Sequence, residues 1–292
     1  MASRASARKR AAATKRLGGA ALIAVVAAQM PAGASAQDLR GLLASCSNPK
    51  TSPAEALRLC DMADEVGGER LNDQNRARVV FNAGVAALDL GRLSIALSRL
   101  DRAVALDPAM AAARVSRAQV REQRGDPAGA LEDYAAAIEN DPAAAAPYLA
   151  RGRLLARLGS PAEAVADFNA ALEREGDWPA SYLGRGRALM MLGDFTGAEA
   201  DFTAVIARAP RDASGWLGRG EARALMGQPS AANDLDRAIA LAPEWGLAWL
   251  VRGRFREMNG DPNGAEADFL RAYELGMRAP DLNARVEALS GG

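Results

Sequence analysis

The feature that most constrains the fold of this chain is a repeat of 34 residues. The aromatic residue Tyr148 is followed at fixed spacings by an Arg-Gly pair, a turn glycine, an alanine and a second aromatic residue. From Tyr182, 34 positions later, the same residue types follow at the same spacings. A period of this size indicates one supersecondary unit copied along the chain. Such a unit cannot bury its apolar face alone, so neighbouring copies must stack into a continuous core.

The turn glycines show how far the repeat extends. They follow one another at 34 residues, with a last step of 33, at Gly91, Gly125, Gly159, Gly193, Gly227 and Gly260. Repeat-end prolines recur at Pro108, Pro142, Pro210 and Pro243, and Gly176 stands where another would fall. Residues 77–279 therefore divide into six repeats, 77–110, 111–144, 145–178, 179–212, 213–245 and 246–279. Asp-Pro or Ser-Pro after a turn glycine, as at Asp126-Pro127, is typical of a helix N-terminus.

This pattern resembles the tetratricopeptide repeat, in which these residue types recur over 34 residues in two antiparallel helices. The resemblance covers residues 77–279. It implies an all-α fold, a right-handed superhelical solenoid of antiparallel helix pairs. It also implies a protein-interaction role for a concave groove that holds peptides.

One position departs from the family pattern. The residue before the glycine of the first helix is usually leucine, but five repeats carry arginine there, and the same five carry an aspartate in the second helix. The pairs are Arg117 with Asp133, Arg151 with Asp167, Arg185 with Asp201, Arg219 with Asp234, and Arg252 with Asp268. The first repeat has Ala83 and Arg99 at these places, so both partners are lost together. We interpret the coupling as an ion pair that joins the two helices; a role of this row in ligand binding is the alternative.

The N-terminal segment 1–36 is typical of a secretory signal peptide. Basic residues lie between positions 4 and 16, an apolar run spans 17–30, and Ala34-Ser35-Ala36 precedes the predicted cleavage before Gln37. The apolar run is shorter than the about 20 residues that a spanning helix needs. We therefore expect a bacterial protein that is periplasmic or secreted, without membrane insertion after cleavage. An uncleaved anchor and lipidation at Cys46 are the alternatives.

The charge of the remaining chain argues against two classes of partner. The first 36 residues hold six basic and no acidic residues, which leaves 30 basic against 36 acidic residues in the rest. A net acidic chain lacks the basic footprint that binds nucleic acid or an anionic membrane.

The two cysteines agree with export. Cys46 and Cys60 both follow the predicted cleavage site, and an even number of cysteines in an oxidising compartment favours a disulfide. Between them, Ser52-Pro53-Ala54-Glu55 predicts a helix that begins at Pro53. Residues 37–76 are predicted to be a degenerate leading repeat whose two helices the disulfide joins. Residues 280–292 are predicted to form a C-terminal capping helix and tail.

The sequence lacks several common signatures of enzymes. The sequence has no histidine, which removes the commonest general base and most zinc sites. It contains no phosphate-binding loop and no dinucleotide-binding fingerprint, and its carboxylates fall at repeat-periodic or turn positions. We therefore predict a protein that is not an enzyme and that needs no cofactor or metal.

The first helix of each repeat supplies the predicted binding face. Repeat positions 4, 8 and 11 face the second helix, so positions 2, 5, 9, 12 and 13 lie on a neighbouring face. In the family that face lines the groove. Here the resemblance places in it Leu149, Arg153, Arg157, Leu183, Arg187, Met190, Met191, Leu217, Glu221, Leu250, Arg254 and Met258.

This mixture of arginine, methionine and leucine would suit an extended segment that carries a carboxylate. The alternative is that Arg153 and Arg187 are solvated or paired with glutamate on the next repeat. Of the tryptophans, Trp216 and Trp249 are predicted to pack in the core, and Trp178 and Trp245 to be exposed.

The resulting hypothesis is a non-catalytic periplasmic scaffold that binds a protein or peptide in its concave groove, as a monomer. Cell-envelope assembly or maintenance is the expected setting, by analogy with the fold alone. Two alternatives stay open: a self-associating structural subunit of an envelope complex, and a carbohydrate-binding or hydrolytic factor that acts on the cell wall.

Overall fold

A computed structural model describes residues 36–175, 178–278, 282–283 and 285. These residues form α-helices and connecting turns, without a β-strand among them, so the predicted all-α class is confirmed. Residues 1–35 of the predicted signal peptide, Gly176 and most of the predicted capping segment 280–292 lie outside the described residues.

The α-helices follow one another along the chain with short connections. They are α1 (Ala36–Cys46), α2 (Pro53–Gly67), α3 (Asp73–Asp89), α4 (Leu93–Leu106), α5 (Ala111–Gln123), α6 (Pro127–Asn140), α7 (Ala145–Arg157), α8 (Pro161–Glu175), α9 (Pro179–Leu192), α10 (Phe195–Arg208), α11 (Ala213–Leu225), α12 (Ala231–Leu241), α13 (Gly246–Met258) and α14 (Pro262–Glu274). One 3₁₀ turn, Gly68–Arg70, follows α2.

The chain divides into two compact units, Met1–Asp107 and Pro108–Gly292. In the second unit, α5, α7, α9, α11 and α13 begin at the first residues of the second to sixth predicted repeats. Each of these first helices packs against the second helix that follows it, and each second helix packs against the next first helix. The first helices α7, α9, α11 and α13 also contact one another in sequence, which places them side by side on one face.

Local chemistry explains where the helices begin and end. All six turn glycines have positive φ, between 69° and 81°, a conformation that costs glycine nothing and side-chain-bearing residues about 1 kcal/mol or more. Aspartates cap the helices that follow three of these turns. Asp126, Asp194 and Asp261 accept hydrogen bonds from the backbone N–H groups of Gly129, Gly197 and Gly264 at 3.0, 2.9 and 2.9 Å.

Small residues let the two helices of a repeat approach closely. A Cβ atom built on Gly152 of α7 would lie 3.2 Å from the Phe168 ring and 3.3 Å from the Ala164 carbonyl oxygen of α8. Phe168 and Ala164 are both buried, and Tyr148 fills the space beside them. A larger side chain at Gly152 would push the helices apart, because protein cores are close-packed.

The first unit uses a different set of polar contacts. Ser52 caps α2 by accepting a hydrogen bond from the Glu55 N–H at 3.4 Å, and Cys46 of α1 is bonded to Cys60 of α2. Asp64 of α2 accepts hydrogen bonds from Arg76 and Arg102. Arg99 pairs with Asp61 at 2.9 Å. The arginine that stands at the aspartate position of the first repeat therefore binds the preceding helical segment instead.

The structure brings together all five arginine–aspartate pairs of the second unit. Each guanidinium donates two hydrogen bonds to one carboxylate, from Nε to Oδ2 at 2.8–2.9 Å and from Nη2 to Oδ1 at 2.6–2.8 Å. The aspartates are 1–5% exposed and lie within the helix pair. This parallel geometry is the strongest form of the contact. The hydrogen bonds to Asp167 and Asp201 raise the pKa of Arg151 and Arg185.

Three of these arginines also connect neighbouring repeats through their remaining amino group, Nη1. Arg185 donates to Asn169 Oδ1 at 2.6 Å, Arg219 to Thr203 Oγ1 at 3.3 Å, and Arg252 to Asp236 Oδ1 at 2.6 Å. Each acceptor lies on the second helix of the preceding repeat. The same guanidinium groups stand over the Tyr182, Trp216 and Trp249 rings at 5.7, 5.1 and 4.9 Å. One side chain thus contacts both helices of its own repeat and one helix of the previous repeat.

We predict that Asp167→Ala lowers the free energy of unfolding by about 3 kcal/mol, because removal of one partner leaves a largely buried charge uncompensated. Chemical denaturation followed by circular dichroism measures this loss. Glu173→Ala, an exposed change on the same helix, is the control and should cost less than about 0.5 kcal/mol. An Asp167→Ala variant of unchanged stability that has lost ligand binding would contradict the structural role of the row.

We also predict that Cys46→Ala with Cys60→Ala destabilises α1 and α2 more than any other part of the chain. Closing a loop of about 15 residues contributes about 3 kcal/mol in the chain-entropy model. Amide hydrogen exchange should become faster in α1 and α2 and stay unchanged in the distant helices α7–α14, because each repeat contacts only its immediate neighbours. The unsubstituted protein under a reducing agent is the control, since it loses the cross-link and keeps its side chains. Unchanged exchange in α1 and α2 would show that the bond contributes nothing.

Candidate functional site: the inner face of the second unit

Four adjacent first helices, α7, α9, α11 and α13, together form one face of the second unit, which we call the inner face. Two parallel rows of side chains cross it. The charged row holds one side chain from each helix: Arg153, Arg187, Glu221 and Arg254. Four residues further along the same helices lie Arg157, Met191, Leu225 and Met258. Residues four apart are neighbours on one helix face, so the two rows run side by side across the helices.

Exposed apolar side chains are concentrated at the ends of these four helices. Among the described residues, eight large hydrophobic side chains are exposed, and five of them lie at the last residues of a first helix or directly after it. We call this set the apolar ladder: Leu158, Met191, Leu192, Leu225 and Met258. Met191, Leu225 and Met258 are 55%, 52% and 62% exposed. Contiguous exposed apolar surface of this kind marks interaction sites more often than scattered single residues do.

Glu221 is the one acidic member of the charged row. It is half-buried on α11, and burial raises the pKa of its carboxyl group, while the charges of Arg254 and Arg187 act in the opposite direction. Arg187 on α9 and Arg254 on α13 therefore face the same carboxylate from either side. The charge of Arg187 acts on the carboxyl group of a glutamate of the next repeat, and Arg153 and Arg187 are both exposed.

A polar cavity of about 200 Å³ lies where α5, α6 and α7 meet, beside Arg153 and Arg157. Glu122 of α5 forms an ion pair with Arg157 of α7 and accepts a hydrogen bond from the Tyr134 hydroxyl group at 2.5 Å. Burial, followed by this hydrogen bond, raises the pKa of Tyr134. Arg157 is therefore engaged by Glu122, although its side chain remains 58% exposed.

Three residues of the predicted groove are not available to a ligand. Leu149, Leu217 and Leu250 are buried in core clusters between helices, so their assignment to the groove surface was wrong. All three occupy position 5 of the repeat, which packs between neighbouring repeats here. Leu183, at the same position, and Met190 are half-buried against the cluster around Phe202. The remaining exposed members are Arg153, Arg157, Arg187, Met191, Arg254 and Met258.

The sequence analysis missed Leu158, Leu192 and Leu225. Leu225 holds the same repeat position as Met191 and Met258, so the period alone could have identified it. Leu158 and Leu192 precede turn glycines, and hydrophobic periodicity gives no reason to expect an apolar residue to be exposed there.

The tryptophans follow the predictions in part. Trp178 is 43% exposed, as expected, whereas Trp245 is half-buried against the cluster around Leu235. Trp216 and Trp249 are half-buried rather than fully enclosed. Their indole N–H groups donate to the backbone carbonyls of Pro210 and Pro243 at 3.0 Å, which ties each ring to the turn before its helix.

In the described part of the chain, cysteine, aspartate and glutamate side chains form no group of three that could hold a metal ion. None of the helices described is both long enough and apolar enough to cross a membrane.

The repeat pattern matches a known family model. The model described as "Tetratricopeptide repeat" matches residues 81–145, 117–181, 149–202, 183–232 and 227–280. These matches together cover more than half of the chain. The chain belongs to the tetratricopeptide repeat family. Proteins of this family mediate protein–protein interactions, and some of them bind peptides.

Curated relatives match short parts of the chain. Tetratricopeptide repeat protein 36 from Homo sapiens is 43% identical over 76 residues, which is 26% of this chain and 39% of the relative. The Mus musculus protein of that name is 32% identical over 103 residues, which is 34% of this chain and 55% of the relative. The chain thus spans about two fifths to half of the lengths of the relatives it matches.

Several solved structures share the fold. A tetratricopeptide repeat protein from Parabacteroides merdae aligns with a TM-score of 0.63 at 22% identity, over 86% of this chain and 98% of that one. YrrB, described as a TPR protein with an unusual peptide-binding site, aligns at 0.56 and 22% identity over 64% and 95%. PilW, described as a type IV pilus biogenesis factor, aligns at 0.65 and 19% identity over 72% and 98%. At these identities the likeness shows a shared tetratricopeptide repeat solenoid fold.

Proposed function

We propose that this protein is a non-catalytic scaffold that binds an extended peptide segment of a partner protein across α7, α9, α11 and α13. The observation that carries this proposal is the apolar ladder at the ends of those four helices, beside a row that contains three arginines. A peptide with apolar and acidic side chains would cover the ladder and pair with the arginines. The peptide-binding role that is described for YrrB, which shares the fold, supports the same kind of ligand.

We further propose that the protein acts in the bacterial cell envelope after signal-peptide cleavage. The basic, apolar and small-residue order of residues 4–36 supports export, and the bonded Cys46 and Cys60 suit an oxidising compartment. An envelope role for a protein of this fold has a parallel in PilW, a pilus biogenesis factor.

We predict that Met191→Ser, Leu225→Ser and Met258→Ser together weaken binding of the partner peptide by about a hundredfold. Each side chain would bury apolar area worth about 1 kcal/mol, and about 3 kcal/mol corresponds to that factor. Peptides selected from a random display library on the purified protein provide the ligands, and fluorescence anisotropy measures their affinity.

The matched control replaces the three large hydrophobic residues that are exposed outside the ladder in the described part of the chain, by Ile95→Ser, Trp178→Ser and Leu270→Ser. This variant carries the same kind of change and should bind as the unsubstituted protein does. Equal affinity of the two triple variants would place the binding surface elsewhere. Light scattering of both variants also reports self-association: a dimer that only the ladder variant loses would identify the ladder as a contact between copies.

We predict that the protein recovered from a bacterial periplasmic fraction begins at Gln37. Intact-mass and N-terminal analysis measure this directly. Ala34→Leu with Ala36→Leu removes the small side chains that signal cleavage requires, and should leave residues 1–36 attached. Recovery of the unsubstituted chain with residues 1–36 in the membrane fraction would instead identify the segment as an anchor.

A further inference from the structure

We propose that Glu221 sets the register of the bound peptide, by selecting a basic residue with acidic residues three positions to either side of it. The basic residue would lie opposite Glu221, and the two acidic residues opposite Arg187 and Arg254. This inference rests on the proposed function and names the sequence that the peptide should carry.

The spacing of the charged row comes from the helix packing. Arg187, Glu221 and Arg254 hold equivalent places on α9, α11 and α13, and these helices contact one another in sequence. Packed helices lie about 8–10 Å apart. The row therefore presents one charged side chain about every 10 Å along a line that crosses the helices.

An extended peptide matches this spacing at every third residue. A polyproline II chain has three residues per turn and advances about 3.1 Å per residue, so every third side chain returns to the same face after about 9 Å. A β-strand does not fit, because its side chains alternate between two faces and residues three apart point in opposite directions. A helical ligand would meet the same row only at every seventh residue, which spans about 10.5 Å. The two ligand conformations thus predict different sequence periods.

The sign of each charge then determines the preferred residues. Arg187 and Arg254 favour carboxylates, whereas an acidic side chain opposite Glu221 would meet a like charge on a half-buried group. A basic residue opposite Glu221 would instead form an ion pair with its carboxylate. The two arginines already face Glu221, so the bound peptide extends an alternating row of charges.

The flanking residues should be apolar. Met191, Leu225 and Met258 lie four residues beyond the charged row on the same helices, and all three are exposed. Side chains between the charged positions of the peptide can therefore cover the ladder.

The direction of the peptide depends on a fourth position. The proposed charge pattern is the same in both chain directions, but Arg153 on α7 adds a further preference for an acidic residue next to that of Arg187. An additional acidic residue, three positions beyond the one that lies opposite Arg187, would therefore show the chain direction of the bound peptide.

The test selects a random library of twelve-residue peptides on three immobilised full-length proteins: the unsubstituted chain, Glu221→Arg, and the control Glu244→Arg. Glu244 is exposed in the turn between α12 and α13, so the control carries the same charge reversal outside the inner face. Peptides enriched on the unsubstituted chain and on the control should show the acidic–x–x–basic–x–x–acidic pattern. Glu221→Arg should instead enrich an acidic residue at the centre.

Synthetic peptides quantify the preference. A peptide with lysine at the centre and aspartate three positions away on both sides is compared with the same peptide carrying aspartate at the centre. The unsubstituted chain should bind the first peptide at least tenfold more tightly, and Glu221→Arg should lose or reverse that preference. Glu221→Gln, which keeps the size of the side chain, should bind both about equally, and the melting temperature of each variant verifies that it is folded.

The possible failures are distinguishable. Enriched peptides without a three-residue charge period, with a seven-residue period, or with the same preference on Glu221→Arg would overturn the register and leave peptide binding intact. Failure of the unsubstituted chain to enrich any peptide above the background of a heat-denatured sample would overturn both the register and the proposed function.

Discussion

The paired hydrogen bonds between one arginine and one buried aspartate are the contact on which each repeat of the second unit depends. The carboxylate lies inside the helix pair, where an isolated charge would be costly, and the guanidinium satisfies both of its oxygens at 2.6–2.9 Å. Because three of the arginines also bind the preceding repeat, the contact fixes the spacing between repeats as well as within them. A buried and fully paired aspartate has little to offer a ligand, which favours the structural interpretation of this row.

The inner face follows from that packing. Because the apolar stripe of each first helix packs against the second helices, the first helices present their other positions to a partner. Two rows remain there, one charged and one apolar except for Arg157, and both repeat at the helix spacing. On the proposed mode of binding, such a surface would recognise a ligand by its period as much as by its composition, since each repeat contributes one side chain to each row. On that proposal, variation of a single member, as at Glu221, would change which ligand residue is preferred at one place without altering the fold.

The candidate site was predictable in its charges and only partly in its apolar residues. Arg153, Arg187, Glu221 and Arg254 follow from the repeat position alone, because long charged side chains on that face extend toward solvent. The burial of the leucines at position 5 could not be predicted from the repeat position. Whether they face a groove or a neighbouring repeat depends on how closely adjacent first helices approach. That approach is set by contacts between repeats, which hydrophobic periodicity within one helix does not encode.

The sequence by itself determined the starts of the second to sixth helix pairs and the five coupled arginine–aspartate positions, because caps, turn glycines and the 34-residue period act locally and repeat, whereas the first helix of the first repeat begins at Asp73 rather than at residue 77. Only the tertiary structure decided which side chains reach the surface. It buried Leu149, Leu217 and Leu250 and gathered the apolar ladder at the helix ends. Exposure depends on the distance and angle between neighbouring repeats, and those arise from the packing of many side chains at once.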